Sequence, residues 1–195
     1  MIAASIIPTM LTSERGIAYA HQKIVNDYER LAKVIDGLKA VNRKIVLTIG
    51  SWDLLHIGHV RYLLRAKEQG DILVVGVDTD RAIKYYKGPL RPIVPEDERC
   101  EMLSYQSCVD FITRLDDVDD QGKWQYDLLK RVKPDVFVAV QDSYPPEQLA
   151  DIKPHCGELL ILPRQAENTS TTNMIQNTVK KHLDQMYALV DRRRE

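Results

Sequence analysis

Two histidines lie three positions apart where an apolar run of the sequence gives way to a helical pattern. His56 and His59 follow the β-branched run Lys44–Ile49 and come directly before a helical stretch that starts near Val60. A helix N-terminus exposes free N–H groups that favour an anion, and two imidazoles beside it would stabilise negative charge growing on a phosphate. We interpret the pair as phosphate-binding, in preference to a structural alternative in which His59 is a buried capping residue and His56 lies on the surface.

The loop around the histidines also contains residues that could hold it in place. Gly50 lets the chain turn sharply at the end of the apolar run, and Gly58 permits a close backbone approach. Asp53 could fix the loop by accepting hydrogen bonds from backbone N–H groups. We favour this positioning role for Asp53 over a role in the chemistry.

Short apolar runs alternate with helical patterns from Arg43 onward, and this alternation predicts the fold. The predicted strands are Lys44–Ile49, Asp71–Val77, Val109–Thr113, Asp135–Val140 and Glu158–Leu162. The predicted helices are Val60–Gln69, Arg81–Tyr86, Glu96–Tyr105, Gln125–Val132 and Thr171–Leu189. Because unbroken Val, Ile and Leu runs are covered on both faces, the fold class is α/β, with a five-stranded parallel Rossmann-like sheet and helices on both faces.

The sequence before the first strand has a helical periodicity. Residues Ser13–Val41 predict one helix whose apolar positions recur at alternating four- and three-residue steps. This stripe could pack on the body of its own subunit or form the contact with a second subunit. A repeat of fewer than three heptads does not distinguish these two possibilities. We expect residues 1–42 to form an N-terminal helical extension and residues 43–195 to form the functional domain.

Ligands of a parallel sheet bind beyond the carboxyl ends of the strands, which directs attention to four loops. The loops are Gly50–His59, Asp78–Pro95, Gln141–Pro146 and Pro163–Thr172. They carry cationic, hydroxyl and acidic candidates: Lys87, Arg91, Arg164, Ser170, Thr171, Thr172, Asp80 and Asp142. Ordinary alternatives are a solvated charge for Lys87 and a helix cap for Ser170 or Asp80. Their joint placement at one edge of the sheet favours the functional interpretation.

Composition argues against several classes of protein. The 195 residues carry 27 Lys and Arg against 28 Asp and Glu, so we expect no nucleic-acid partner. No apolar stretch reaches the ~18 residues of a membrane span, and the start lacks the basic region of a secretory signal. Cys100, Cys108 and Cys156 have neither zinc-site nor redox-pair spacing, and we expect reduced thiols in a cytoplasmic protein.

Three segments of the chain together resemble one family. The HxGH signature of the cytidylyltransferase-like nucleotidyltransferases is matched by Gly50-x-Trp52-Asp53-x-x-His56-x-Gly58-His59. The segment Lys87–Arg99 is similar to a lysine–glycine–arginine–proline segment in the heptose-1-phosphate adenylyltransferase domain of bifunctional ADP-heptose synthases. The closing signature of that domain resembles Leu162–Arg164 followed by Ser170–Ile175. The resemblance extends from about Arg43 to Leu183.

The resemblance implies a reaction and assigns residues to it. A nucleoside monophosphate would pass from a nucleoside triphosphate, with ATP favoured, to a sugar or polyol phosphate resembling heptose 1-phosphate, and pyrophosphate would be released. The implied catalytic residues are His56, His59, Lys87 and Arg91. The implied nucleotide-binding residues are Gly50, Ser51, Trp52, Asp53, Gly58, Arg164, Ser170, Thr171 and Thr172. The candidates for binding the acceptor are Asp80 and Asp142.

The resemblance also implies a cofactor and an assembly. Mg²⁺ is expected on the triphosphate, because no acidic cluster in the sequence resembles a protein cage for the ion. The expected partners are the nucleoside triphosphate and a phosphorylated small molecule, without a membrane or nucleic acid. A homodimer is expected because related enzymes commonly form one.

The sequence departs from the family pattern at two places. Trp52 stands where the family usually has phenylalanine, which is a tolerable aromatic exchange. Val140 and Gln141 stand where heptose adenylyltransferases have a lysine and two glycines, and they predict an altered acceptor pocket. Three alternatives therefore stay open: a glycerol-3-phosphate cytidylyltransferase, an FMN adenylyltransferase, and a non-catalytic nucleotide-binding regulatory module.

Overall fold

The predicted five-stranded parallel sheet is confirmed. The computed structural model describes residues 14–191, with side chains described from residue 16 to residue 189. The strands are β1 (Ile45–Gly50), β2 (Ile72–Asp78), β3 (Phe111–Leu115), β4 (Val136–Val140) and β5 (Glu158–Leu162). Neighbouring strands all pair in parallel, in the order β3-β2-β1-β4-β5.

The strand order places the loop after β1 at the ligand-binding edge. The chain moves outward from β1 through β2 to β3, and it then returns to β4 on the other side of β1. Gly50 pairs with Val77 at the end of β2, and Val46 pairs with Val136 of β4. The order therefore reverses beside β1, at the kind of switch point where open α/β sheets bind ligands.

Helices cover both faces of the sheet, as the unbroken apolar strands predict. They are α1 (Glu14–His21), α2 (Tyr28–Ala40), α3 (Ile57–Lys67), α4 (Asp80–Lys87), α5 (Glu96–Ser104), α6 (Asp127–Val132), α7 (Pro146–Ile152) and α8 (Thr171–Asp191). One buried cluster contains Leu63 of α3 and Leu103 of α5, and the other contains Leu31 of α2 and Leu128 of α6. The two clusters lie on opposite faces of the sheet, and the first anchors α3, which carries His59.

The prediction of one helix over Ser13–Val41 is wrong. Its start, at Ser13, lies outside the described residues, and the described part forms two helices, α1 and α2. The chain between them is extended because Ile24 forms a parallel bridge with Ile112, beside β3. Asp27 then caps α2 by accepting hydrogen bonds from two backbone N–H groups. Leu31, on the predicted stripe, has no exposed surface, so α2 packs on its own subunit.

Two further observations complete the fold. The sequence analysis did not predict α7. This helix begins at Pro146, directly after Pro145, and the two consecutive prolines were interpreted as part of a loop. Within residues 14–191, none of the helices combines the length and the apolar character needed to cross a bilayer. The division of the chain between residues 42 and 43 stays a prediction.

Candidate active site

The two histidines are held against each other by the first turn of α3. His56 is the N-cap residue, and its Nδ1 accepts a hydrogen bond from the Gly58 N–H at 3.1 Å. The His59 Nδ1 accepts from the His56 N–H at 3.4 Å, and the two rings stack with their centroids 4.0 Å apart. Because both Nδ1 atoms accept, each neutral ring carries its proton on Nε2. Each ring therefore keeps an N–H group that can donate to a phosphate oxygen.

Gly58 lies at a close approach between two segments of the site. A Cβ atom at this position would lie 2.9 Å from His56 Cε1 and 3.1 Å from Ala166 Cβ. Ala166 belongs to the segment that joins β5 to α8. A larger residue at position 58 would therefore push apart the histidine loop and the loop that leads into α8.

His59 is neutral in the free protein. Burial, and after it the nearby His56 and the positive charge of Lys87, lower the pKa of His59 to about 3. The ring packs edge-on against Trp52, with the centroids 5.6 Å apart, and the indole Nε1 donates to the Gly76 carbonyl oxygen at 2.8 Å. The Trp52 side chain is thus a buried support beneath His59.

Asp53 ties three segments of the site together. Its carboxylate has no exposed surface and accepts hydrogen bonds from the Val94 and Ile93 N–H groups and from Arg91 Nε, the last at 2.7 Å. Its own carbonyl oxygen accepts from the Thr171 hydroxyl, also at 2.7 Å. Burial alone would raise the pKa of Asp53, but the backbone N–H groups and Arg91 outweigh it and lower that pKa. The structure thus gives Asp53 the positioning contacts that its sequence context predicts.

Lys87 reaches back from the end of α4 to the histidine loop. Its Nζ atom lies 2.7 Å from Ser51 Oγ and 5.4 Å from the centroid of the Tyr86 ring. Gly88, with φ at 87°, ends α4 and turns the chain toward Arg91. Partial burial and then the charge of Arg91 lower the pKa of Lys87. An anion between these groups would therefore relieve an excess of positive charge.

Arg99 is a buried positioning residue that sequence reasoning missed. Its guanidinium donates to the carbonyl oxygens of Ser51 and Val94 and to Asp80 Oδ1, so it joins the loop after β1, the segment before α5 and the start of α4. Asp80 therefore ion-pairs with Arg99, while Thr79, and not Asp80, caps α4. Nothing in the sequence of α5 marked Arg99 as facing inward, because a charged residue in a short helix normally faces solvent.

Sequence reasoning also missed a hydrogen-bonded pair at the end of β2, formed by Asp78 and Tyr86. Asp78 is 3% exposed, and its Oδ2 accepts from the Tyr86 hydroxyl at 2.6 Å, while no hydrogen bond reaches its Oδ1 from the described residues. Burial raises the pKa of Asp78 to about 6, and the same burial raises the pKa of Tyr86. The available signal was an acid placed directly after an apolar run.

The candidates beyond β4 and β5 are held more loosely. Ser170 caps α8 by accepting from the Asn173 N–H at 3.1 Å, while Thr172 and Arg164 are exposed. Asp142 is exposed, with φ at 64°. Within residues 14–191, side-chain hydrogen bonds join Thr171 to the histidine loop but do not join Thr172, Arg164 or Asp142 to it.

The groups gathered at this edge suit a polyphosphate. They are imidazole N–H groups, the Lys87 ammonium, the Arg91 guanidinium and hydroxyls at a helix N-terminus. The described part of the chain holds no cluster of three or more His, Cys, Asp or Glu side chains that could bind a metal ion. The donor set fits a triphosphate, because it can position the phosphate groups and neutralise charge that spreads during phosphoryl transfer.

Comparison with solved structures places the fold among known proteins. A lipopolysaccharide core biosynthesis protein from Thermoplasma volcanium is 27% identical, with a TM-score of 0.51, and the match covers 63% of this chain and 96% of that one. A pantoate-beta-alanine ligase from Francisella tularensis has a TM-score of 0.52 at 15% identity, over 74% of this chain and 67% of that one. The second likeness shows the fold alone.

Comparison with curated sequences gives relatives of greater length. The bifunctional protein HldE of Geobacter metallireducens is 34% identical over 182 residues, which are 92% of this chain and 36% of that protein. The HldE of Pseudomonas entomophila is 36% identical over 87% of this chain and 33% of its own length. This chain therefore spans about a third of the length of these relatives.

The histidine loop, Lys87 and the start of α8 all lie inside one family match. The family model described as cytidylyltransferase-like matches residues 47–182, which is well over half of the chain. The parallel sheet, the imidazole and cationic groups at its edge and the similarity to HldE proteins agree with that match. This chain therefore belongs to the cytidylyltransferase-like family and is a nucleotidyltransferase.

Proposed function

We propose that the enzyme transfers a nucleoside monophosphate, preferably from ATP, to a phosphorylated sugar or polyol resembling heptose 1-phosphate. The observation that carries the proposal is the stacked pair His56 and His59, with Lys87 held 2.7 Å from Ser51 of the same loop. Three groups that stabilise phosphate charge converge on the loop after β1. The similarity to HldE proteins supports a sugar phosphate as the acceptor.

In the proposed reaction, an oxygen of the acceptor phosphate attacks the α-phosphorus of the triphosphate. A new P–O bond forms as the bond between the α-phosphorus and the bridging oxygen breaks, and pyrophosphate leaves with the electron pair. His56 and His59 donate their Nε2–H groups to oxygens of the α- and β-phosphates. Their donation stabilises charge that spreads in the transition state.

Lys87 connects the two substrates in this mechanism. Its ammonium would leave the Ser51 hydroxyl and contact both the incoming phosphate and the α-phosphate, while Arg91 adds positive charge from the same loop. The low dielectric around these partly buried groups strengthens their attraction for an anion. Phosphate binding would in turn raise the pKa of His59, because the anion stabilises the protonated ring.

The remaining candidates would hold the nucleotide and the acceptor. Gly50, Ser51, Trp52, Asp53 and Gly58 form or support the loop beneath the nucleotide. Arg164, Ser170, Thr171 and Thr172 would bind the β- and γ-phosphates at the start of α8. Asp142 and Asp80 stay candidates for the acceptor, although Asp80 would first have to leave its ion pair with Arg99. Mg²⁺ would enter with the triphosphate, and the cytoplasmic location stays a prediction.

The alternatives are less favoured than the proposed reaction. Glycerol-3-phosphate cytidylyltransferase and FMN adenylyltransferase activities would use the same fold, but the curated relatives that share most of this chain are HldE proteins. A regulatory module without turnover is less favoured because Lys87 lies where it could bridge an incoming phosphate and the α-phosphate, a role that binding of the nucleotide alone does not need.

A screen of nucleotides against acceptors tests the proposal. The enzyme is mixed with Mg²⁺ and ATP or CTP, and with a sugar 1-phosphate, glycerol 3-phosphate or FMN, and released pyrophosphate is measured. We expect release that requires both substrates and is fastest with ATP and the sugar phosphate. Faster release with CTP and glycerol 3-phosphate, or nucleotide binding without release from any pair, would contradict it.

A further inference from the structure

Two opposite charges at the edge of the sheet have no direct ion-pair partner. The Asp78 carboxylate, at the end of β2, is buried, and the Lys87 ammonium lies 2.7 Å from the uncharged Ser51 hydroxyl. Among residues 16–189, the ion pairs include neither Asp78 nor Lys87. A buried charge without a direct partner destabilises the fold and is typical of a functional site.

The Tyr86 side chain links the two charges. Its hydroxyl donates to Asp78 Oδ2 at 2.6 Å, and the centroid of its ring lies 5.4 Å from Lys87 Nζ. Trp124, from the segment after β3, packs against the same phenol, with the ring centroids 5.8 Å apart. The carboxylate and the ammonium are therefore connected through one supported ring without an ion pair between them.

The charge of Asp78 opposes the conditions that make Lys87 difficult to keep protonated. Burial and then Arg91 lower the pKa of Lys87, and Asp78 is the first of the groups that raise it. The other titratable groups that face this pair of charges are Asp53, His59, Arg99, Tyr28 and Tyr144. Because Asp53 already pairs directly with Arg91, its charge is largely offset. Asp78 is therefore the counter-charge available to Lys87.

We propose that Asp78 and Tyr86 are positioning residues for Lys87, in which the carboxylate holds the ammonium beside the loop after β1 and the phenol prevents a direct ion pair. A direct pair would occupy the ammonium, whereas a counter-charge behind a phenol leaves its N–H groups free for phosphate. The proposal rests on the proposed role of Lys87 in the transfer.

Chemical labelling of Lys87 in the substrate-free enzyme tests this arrangement without relying on turnover. Acetic anhydride acetylates neutral amines, and peptide mass spectrometry measures the rate at Lys87 from about pH 7 to about pH 10. Asp78→Asn keeps an oxygen that can accept from Tyr86 but removes the charge. Because the ammonium loses its counter-charge, Lys87 should be acetylated at least about threefold faster at pH ~8.5.

Tyr86→Ala should change the labelling in the opposite direction. Without the phenol, the carboxylate and the ammonium can pair directly, so Lys87 should be acetylated about threefold more slowly. In the Asp78→Asn background the same change should no longer slow the labelling, because no carboxylate is left to form the pair. Slowing that persists in this background would show hydration of the lysine instead, and it would overturn the role of Tyr86.

Both substitutions should lower kcat, although they change the labelling in opposite directions. We expect a loss of about tenfold in each, with the KM for the triphosphate within about twofold, measured by pyrophosphate release. The alkaline limb of the kcat profile should move to lower pH in Asp78→Asn and to higher pH in Tyr86→Ala. A merely structural role would lower kcat without moving the two limbs apart.

Matched controls come from neighbouring positions. Tyr85→Phe removes the hydroxyl of the exposed tyrosine beside Tyr86, and Asp71→Asn removes an exposed carboxylate directly before β2, at the opposite end of that strand from Asp78. Neither should change the labelling or kcat by more than about twofold, and circular dichroism verifies that all variants fold.

The two readouts distinguish this proposal from the proposed function. Unchanged labelling of Lys87 in Asp78→Asn would overturn the positioning role, even in an enzyme that turns over the expected substrates. The expected changes in labelling, in an enzyme that releases pyrophosphate with none of the acceptors, would support the positioning role and contradict the proposed function.

Discussion

The loops on the two sides of the switch point differ in how firmly their side chains are held. On the side of β1 and β2, the side chains of Asp53, Arg91 and Arg99 are 0%, 12% and 1% exposed and form ion pairs with defined partners. On the side of β4 and β5, Arg164 and Asp142 are exposed. One half of the site is preorganised and the other is open.

This difference matches the separate demands of phosphoryl transfer. Groups that stabilise the transition state work best when they are fixed in place before the substrate arrives. Groups that admit substrate and release product must instead stay accessible, and an open loop allows this. We therefore expect changes on the β1 and β2 side to reduce turnover or stability, and changes on the β4 and β5 side to alter substrate binding.

The largest effect is expected from His59→Ala. Loss of one preorganised donor to the phosphate should lower kcat about 10²–10³-fold. Pyrophosphate release under saturating substrates measures the change. His155→Ala is the matched control, because His155 precedes β5 at the opposite edge of the sheet and should leave kcat unchanged. Turnover of His59→Ala within twofold of the natural enzyme would remove His59 from the mechanism.

Asp53→Asn tests directly how much the contacts on the β1 and β2 side stabilise the folded protein. The change removes the negative charge that pairs with buried Arg91 and accepts the Ile93 and Val94 N–H groups. An unpaired buried charge should lower the free energy of unfolding by about 3 kcal/mol, measured in urea. Asp142→Asn, an exposed exchange of the same type, should change it by less than about 0.5 kcal/mol. Equal losses in the two variants would contradict the comparison.

The raised pKa of Asp78 predicts how the free energy of unfolding depends on pH. Because its pKa rises from 3.8 to about 6 on folding, the folded state holds this proton more tightly than the unfolded state. The contribution of Asp78 to stability should therefore fall as pH rises from about 4 to about 6 and stay constant above that. Asp78→Asn should be more stable than the natural protein by about 2 kcal/mol at pH 7.5, with the difference much smaller near pH 4. Urea unfolding at both pH values checks this, and a difference independent of pH would contradict it.

Sequence reasoning predicted the sheet because its strands are continuous apolar runs. It also predicted that the candidate residues follow the carboxyl ends of the strands, because parallel strands bring those ends to one edge. It failed over Ser13–Val41, where the apolar spacing continues through a break made by backbone pairing between Ile24 and Ile112. Such pairing involves a residue far along the chain and leaves no periodic signal.

The positioning residues show a second limit of the sequence. Asp53 was recognisable as a positioning residue, but its partners Ile93 and Val94 lie about 40 residues along the chain. Arg99 was overlooked because a charged residue in a short helix normally faces solvent. Only the tertiary structure shows that it lies beneath the loops and joins them.

The smallest effect is expected from Arg164→Ala, which tests the open half of the site, on the side of β4 and β5. The guanidinium is exposed, so its contact with the β- and γ-phosphates should contribute only about 1 kcal/mol. We expect the KM for the triphosphate to rise roughly fivefold with kcat within about twofold. Arg65→Ala, in the last turn of α3, removes another exposed arginine and should change neither constant. A fall in kcat comparable to that of His59→Ala would show that the open half takes part in the chemical step itself.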